Sequence, residues 1–120
     1  MTLQECYAAL GGDYAGVASR LPTERMVQKF VLKFLNDGSY DLLVRSMAAE
    51  DYAEAFRAAH TIKGVCQNLD FTVLYQSSCQ LSEALRNGFT PEAPALAEQV
   101  GADYRRTVEA IRAYQASNGL

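Results

Sequence analysis

One histidine, one lysine and one glycine stand close enough together in this chain to act on the same group. They lie in Ala59-His60-Thr61-Ile62-Lys63-Gly64-Val65-Cys66-Gln67-Asn68-Leu69, and His60 is the only histidine. Imidazole, with an ordinary pKa of about 6.5, is a good nucleophile near neutral pH. If the stretch is helical, each residue advances about 100°, so Phe56, Lys63, Gly64 and Gln67 share a side with His60. The opposite side carries Ala55, Ala58, Ile62, Val65, Cys66 and Leu69, an apolar stripe expected to face a core. His60 is then exposed, with a cation one turn away and a residue without a side chain beside it. A nucleophile that must meet a large partner needs such clearance. Gly64 costs about 1 kcal/mol against alanine in a helix interior, so helix formation is no reason for its presence.

His-Thr-Ile-Lys-Gly, followed by Val-Cys-Gln-Asn-Leu and then Phe71, resembles the signature of histidine phosphotransfer (HPt) domains of two-component phosphorelays. That signature is a helical His-x-x-Lys-Gly, one or two small residues, Asn or a similar residue, an apolar residue and usually a glycine before the next helix. The close match covers roughly Ala58 to Leu85. The resemblance implies that His60 accepts a phosphoryl group through a labile P–N bond. Lys63 would balance its charge, roughly −1.5 to −2 in other phosphoamino acids, and Gly64 would let a partner close over the site. Phe56, Gln67 and Ser82 are candidate partner contacts. Family members often orient the imidazole from the next helix, and Ser82, with Gln80 and Glu83 beside it, is the nearest match. Two positions depart from the pattern: Asp70 replaces the usual turn glycine, and Cys66 stands where Ala, Ser or Gly is common.

No G-x-x-x-x-G-K-[ST] loop and no kinase-type glycine-rich segment is present, so nothing here is expected to bind ATP. The phosphoryl group must come from one protein and leave to another, which makes the expected function that of a stoichiometric carrier rather than an enzyme. The resemblance implies a response-regulator receiver domain as partner, bringing the Asp and the Mg²⁺, and a sensor or hybrid histidine kinase upstream. The competing reading is a helical adaptor that docks a signalling partner through the His60 and Phe56 face without being phosphorylated. A Cys–His hydrolase fails on geometry, because Cys66 lies about 240° around the helix from His60.

The 120 residues are 49% hydrophobic and 21% charged, which suits one domain spanning 1–120 with a single core. A net charge of −3 with scattered Lys and Arg argues against nucleic acid. No apolar run is long enough for a membrane span, and the N-terminus lacks a signal-peptide build, so a cytoplasmic, free-standing monomer is expected. Cys6, Cys66 and Cys79, an odd set without C-x-x-C spacing, are expected to be reduced structural thiols, and with one histidine they make no metal site.

The elements that must position His60 read as helices throughout. Leu3 to Leu10 is closed by Gly11-Gly12, and Tyr14 to Leu21 adds a turn or two before Pro22. Thr23 caps a helix carrying Val27, Phe30, Val31, Phe34 and Leu35, ending at Asn36-Asp37-Gly38. Ser39 is expected to cap a shorter helix with Leu42, Leu43 and Met47 inward. Asp51 and Glu54 open the His60 helix as a capping box. That helix runs to about Leu69 and is followed by a tight turn near Asp70. Thr72 is expected to cap the next helix, with Val73, Leu74, Leu81 and Leu85 apolar and Cys79 inward. The last helix starts between Pro91 and Pro94 and carries Ala97, Val100, Tyr104, Val108 and Ile111 to about Tyr114. The pattern predicts an all-α fold: an antiparallel four-helix bundle with one or more extra N-terminal helices.

Overall fold

A computed structural model describes residues 1–120, and its regular structure is helical from end to end. The helices are α1 (Leu3–Leu10), α2 (Tyr14–Arg20), α3 (Glu24–Lys33), α4 (Ser39–Ala48), α5 (Tyr52–Leu69), α6 (Thr72–Leu85) and α7 (Ala93–Ser117). A single 3₁₀ turn, Phe34–Asn36, follows α3. Helix α5 packs on α4 and on α6, α6 packs on α7, and α1 lies along α7. The short connections force antiparallel neighbours, so α4 to α7 form the expected bundle and α1 and α2 are the N-terminal additions. One cluster of 25 buried apolar residues runs through all of it. No helix is long and apolar enough to cross a membrane.

The caps explain where most helices begin. Thr2 and Glu5 exchange side-chain and backbone hydrogen bonds at the start of α1, and Asp13 and Thr23 accept from N–H groups in the first turns of α2 and α3. Asp51 accepts from the Glu54 N–H at the start of α5, but the reciprocal half of the expected capping box is absent: the Asp51 N–H donates to the Ser46 carbonyl and Glu54 pairs with Arg57. Two further caps differ from expectation. The N–H of Ser39 donates to Asp37 Oδ1 at 2.8 Å, so the aspartate two residues earlier secures α4 and Ser39 is already helical. Thr72 is likewise the first residue of α6 and makes no side-chain cap; that start is held from outside, where the Val73 N–H donates to the Gly11 carbonyl.

The apolar pattern also loosens at its edges. Val65, Val73, Cys79, Leu42, Met47, Ala97 and Tyr104 are half-buried rather than inward, because each sits at the border of its helix's buried face. Helix α7 continues past Tyr114 to Ser117. The buried faces of α5 (Ala55, Ala58, Ala59) and α6 (Ser77, Ser78, Ser82) are small, which lets neighbouring helices lie close. Ser78 returns its hydroxyl to the Leu74 carbonyl at 2.7 Å, so the burial leaves it satisfied.

The turn between α5 and α6 is clasped by the N-terminal helices. Asp70 takes the left-handed conformation (φ 56°) and Phe71, fully buried, sets its ring against Tyr7 and Phe34 at 5.6 and 5.2 Å. Tyr7 donates its hydroxyl to the Leu69 carbonyl at 2.8 Å, the Asp13 N–H donates to the Asp70 carbonyl, and Arg20 pairs with the Asp70 carboxylate. A side chain on Gly12 would come within 2.7 Å of the Asp70 carbonyl oxygen, so glycine is needed for that approach. Asp70 does the work of the turn glycine that it replaces, with its side chain held from α2.

Candidate functional site

His60 is exposed on α5, eight residues after the first helical residue and nine before the last. The apolar stripe that fixes the helix's rotation is in place: Ala55, Ala58, Ala59, Ile62, Cys66 and Leu69 are all buried. With that face inward, residues 100–180° away must face solvent, and His60 does.

Its neighbours on the helix differ in what they are free to do. Phe56, one turn earlier, is half-buried, and its ring lies nearly parallel to the imidazole with centroids 5.9 Å apart. Lys63 and Gly64 are partly exposed one turn later. A β-carbon placed on Gly64 would meet nothing within 4 Å. No packing therefore requires glycine there, and the space beside His60 stands open. Gln67 is exposed two turns on, about 10 Å along the axis. That distance suits a contact with a docked protein better than one with a group carried on His60.

Ser82 does not reach this surface. It is 1% exposed, on the buried face of α6, which rules it out as a partner contact. The residues that α6 does bring to the site are Glu83 and Arg86. Arg86 donates from Nε and Nη2 to the Glu83 carboxylate, the shortest contact being 3.0 Å, and its guanidinium lies 5.7 Å from the centre of the Phe56 ring. The hydrogen bond and charge of Arg86 hold the Glu83 carboxyl below its usual range, and Lys63 adds to the effect. Sequence reasoning passed over Arg86, although a signal existed. In an antiparallel hairpin turning at Asp70, Phe56 lies fourteen residues before the turn and Arg86 sixteen after it, nearly level.

Two further features border the site. Tyr52, on the Phe56 face one turn earlier, meets the exposed Phe89 with ring centres 5.2 Å apart. On the far side of α5, a cleft of about 600 Å³ opens between Leu21, Phe30, Phe34, Val65 and Leu69. Cys66 is buried on the core face, where burial pushes its thiol up, far from nucleophilic use. No three His, Cys, Asp or Glu side chains gather as a metal-holding group.

An exposed imidazole on a helical bundle, with a cation and a glycine on its open side, forms an open surface rather than an enclosed pocket. A family model for the Hpt domain matches residues 25–114, and the chain belongs to that family, whose members are phosphocarriers in phosphorelays. The match begins inside α3, so α1 and α2 lie outside it. No curated protein and no solved structure matches the chain.

Proposed function

We propose that the chain is a phosphorelay intermediate that takes a phosphoryl group onto His60 from a receiver-domain aspartate or a kinase and passes it to the aspartate of a response-regulator receiver. The open space at Gly64 beside the exposed His60 is the observation that supports this reading most. In the forward step a ring nitrogen's lone pair attacks phosphorus, an N–P bond forms and the acyl P–O bond breaks. The electron pair of that bond stays on the departing aspartate carboxylate, and the second ring nitrogen keeps its proton. The reverse step delivers the group to the next aspartate. Lys63 offsets the charge of the held group. Mg²⁺ belongs to the partner's side of the reaction, and Phe56 and Gln67 border the surface that the partner covers. The setting proposed is the cytoplasm, where a sensor or hybrid kinase meets its regulator.

The test is incubation with a phosphorylated receiver domain, followed by assay of an acid-labile, base-stable label. The wild-type chain should be labelled and His60→Ala should not, while stability changes by no more than about 0.5 kcal/mol, as at other exposed positions. Label persisting on the variant would overturn the assignment of His60. Binding of the receiver without label would favour the adaptor reading.

A further inference from the structure

Glu83 and Arg86 stand on the helix facing His60 and are not needed by the fold: both are exposed, and their pair is a single i, i+3 contact at the end of α6. Their position is nonetheless specific. The imidazole of His60 lies against Phe56, and the Arg86 guanidinium lies over that same ring, each within 6 Å of its centre. Glu83 holds the guanidinium through three contacts of 3.0 to 3.3 Å. We propose that Glu83 is an electrostatic latch: it keeps Arg86 on the Phe56 ring while His60 is bare, and yields it to the phosphoryl group once His60 is modified. The inference rests on the carrier reading and adds a second cation, with its control, to the role given to Lys63.

The exchange follows from the charges. A carboxylate offers the guanidinium one negative charge, whereas a phosphoryl group offers roughly −1.5 to −2 and three acceptor oxygens. An exposed ion pair is weak enough to be exchanged freely, and the guanidinium fork matches phosphate as well as it matches carboxylate, so the larger charge decides. Without Glu83, the Arg86 guanidinium would stand over an uncharged ring and attract any small anion. With it, the guanidinium is occupied until a phosphoryl group arrives.

The experiment uses phosphoramidate, a small phosphoryl donor that needs no partner protein, with labelling followed by ³¹P NMR. Glu83→Gln should speed labelling about threefold and Arg86→Gln should slow it by a similar factor, the size expected of exposed charge pairs. The double variant decides between mechanisms. If Glu83 acts through Arg86, Glu83→Gln adds little in the Arg86→Gln background. If it repels anions on its own, it speeds labelling equally in both backgrounds, and the latch is overturned. A second reading is the Arg86 Nε–Hε NMR signal, which should move when wild type is labelled and stay in place in His60→Ala treated alike. A fixed signal in labelled wild type also overturns the latch while leaving the carrier reading intact. If phosphoramidate does not label wild type, the same NMR signal is read after labelling by a phosphorylated receiver, and failure to label there too sinks the carrier reading, and the latch with it.

Discussion

The α1–α2 connection that clasps the turn after α5 and the middle of α5 both contain glycine where an ordinary loop or helix would not need it, and the two use it oppositely. At the turn, the N-terminal segment comes so close that a β-carbon on Gly12 would meet the Asp70 carbonyl oxygen and the Tyr7 ring at 2.7 Å. Beside His60, a β-carbon on Gly64 would meet nothing. One glycine admits a neighbour that is part of the chain. The other leaves room that no part of the chain fills. A glycine explained by packing belongs to the fold, and one that packing leaves unexplained points to something outside it.

The contrast is sharpest under substitution. Phe71 is fully buried among Tyr7 and Phe34, so Phe71→Ala should cost about 3–5 kcal/mol, a large share of a domain's stability. Urea unfolding with an unchanged slope checks this. Gly12→Ala forces an overpacked contact and should cost about 1–3 kcal/mol by the same measurement. If Gly12→Ala were neutral, the clasp would be looser than its hydrogen bonds imply, and the comparison would fail at the turn. At Gly64 the sign should reverse, with Gly64→Ala gaining up to about 1 kcal/mol.

Whether the core face of α5 stays closed can be tested by reagents as well. Burial pushes the Cys6 thiol up to about 11 and raises that of Cys66 further. At pH 8 both lie well below their folded pKa values, so both stay protonated and unreactive as well as shielded. Half-buried Cys79 should therefore be the one thiol that a maleimide modifies quickly in the folded chain. In denaturant all three should react alike. Rapid loss of the Cys66 thiol from native protein would mean that the core face of α5 opens readily, against the packing described.

How much of this could be read in advance follows from the range of the interactions. The rotation of α5 was legible because Ala55, Ala58, Ile62, Cys66 and Leu69 repeat at helical spacing, and that rotation alone turns His60 outward. The helical caps at Thr23 and Asp51 were legible because a cap bonds within three residues. The clasp was not, since Tyr7 reaches Leu69 and Arg20 reaches Asp70 across 62 and 50 residues with no local periodicity to announce it. The same limit hid Arg86 and misplaced Ser82. The pattern of α6 names its apolar face, but which polar residues flank the imidazole depends on how α6 is rotated against α5. That rotation puts Ser82 inward and Glu83 and Arg86 on the rim.

The central claim is that the space at Gly64 serves a partner and not the fold, and Gly64→Gln tests it in one sample. The variant should melt at or above the wild-type temperature, because a long unbranched side chain favours the helix and its β-carbon meets no neighbour. The same preparation should accept a phosphoryl group from a phosphorylated receiver at least tenfold more slowly, because the glutamine side chain stands where the receiver must close over His60. Transfer at the wild-type rate by a variant that is equally or more stable would contradict the account.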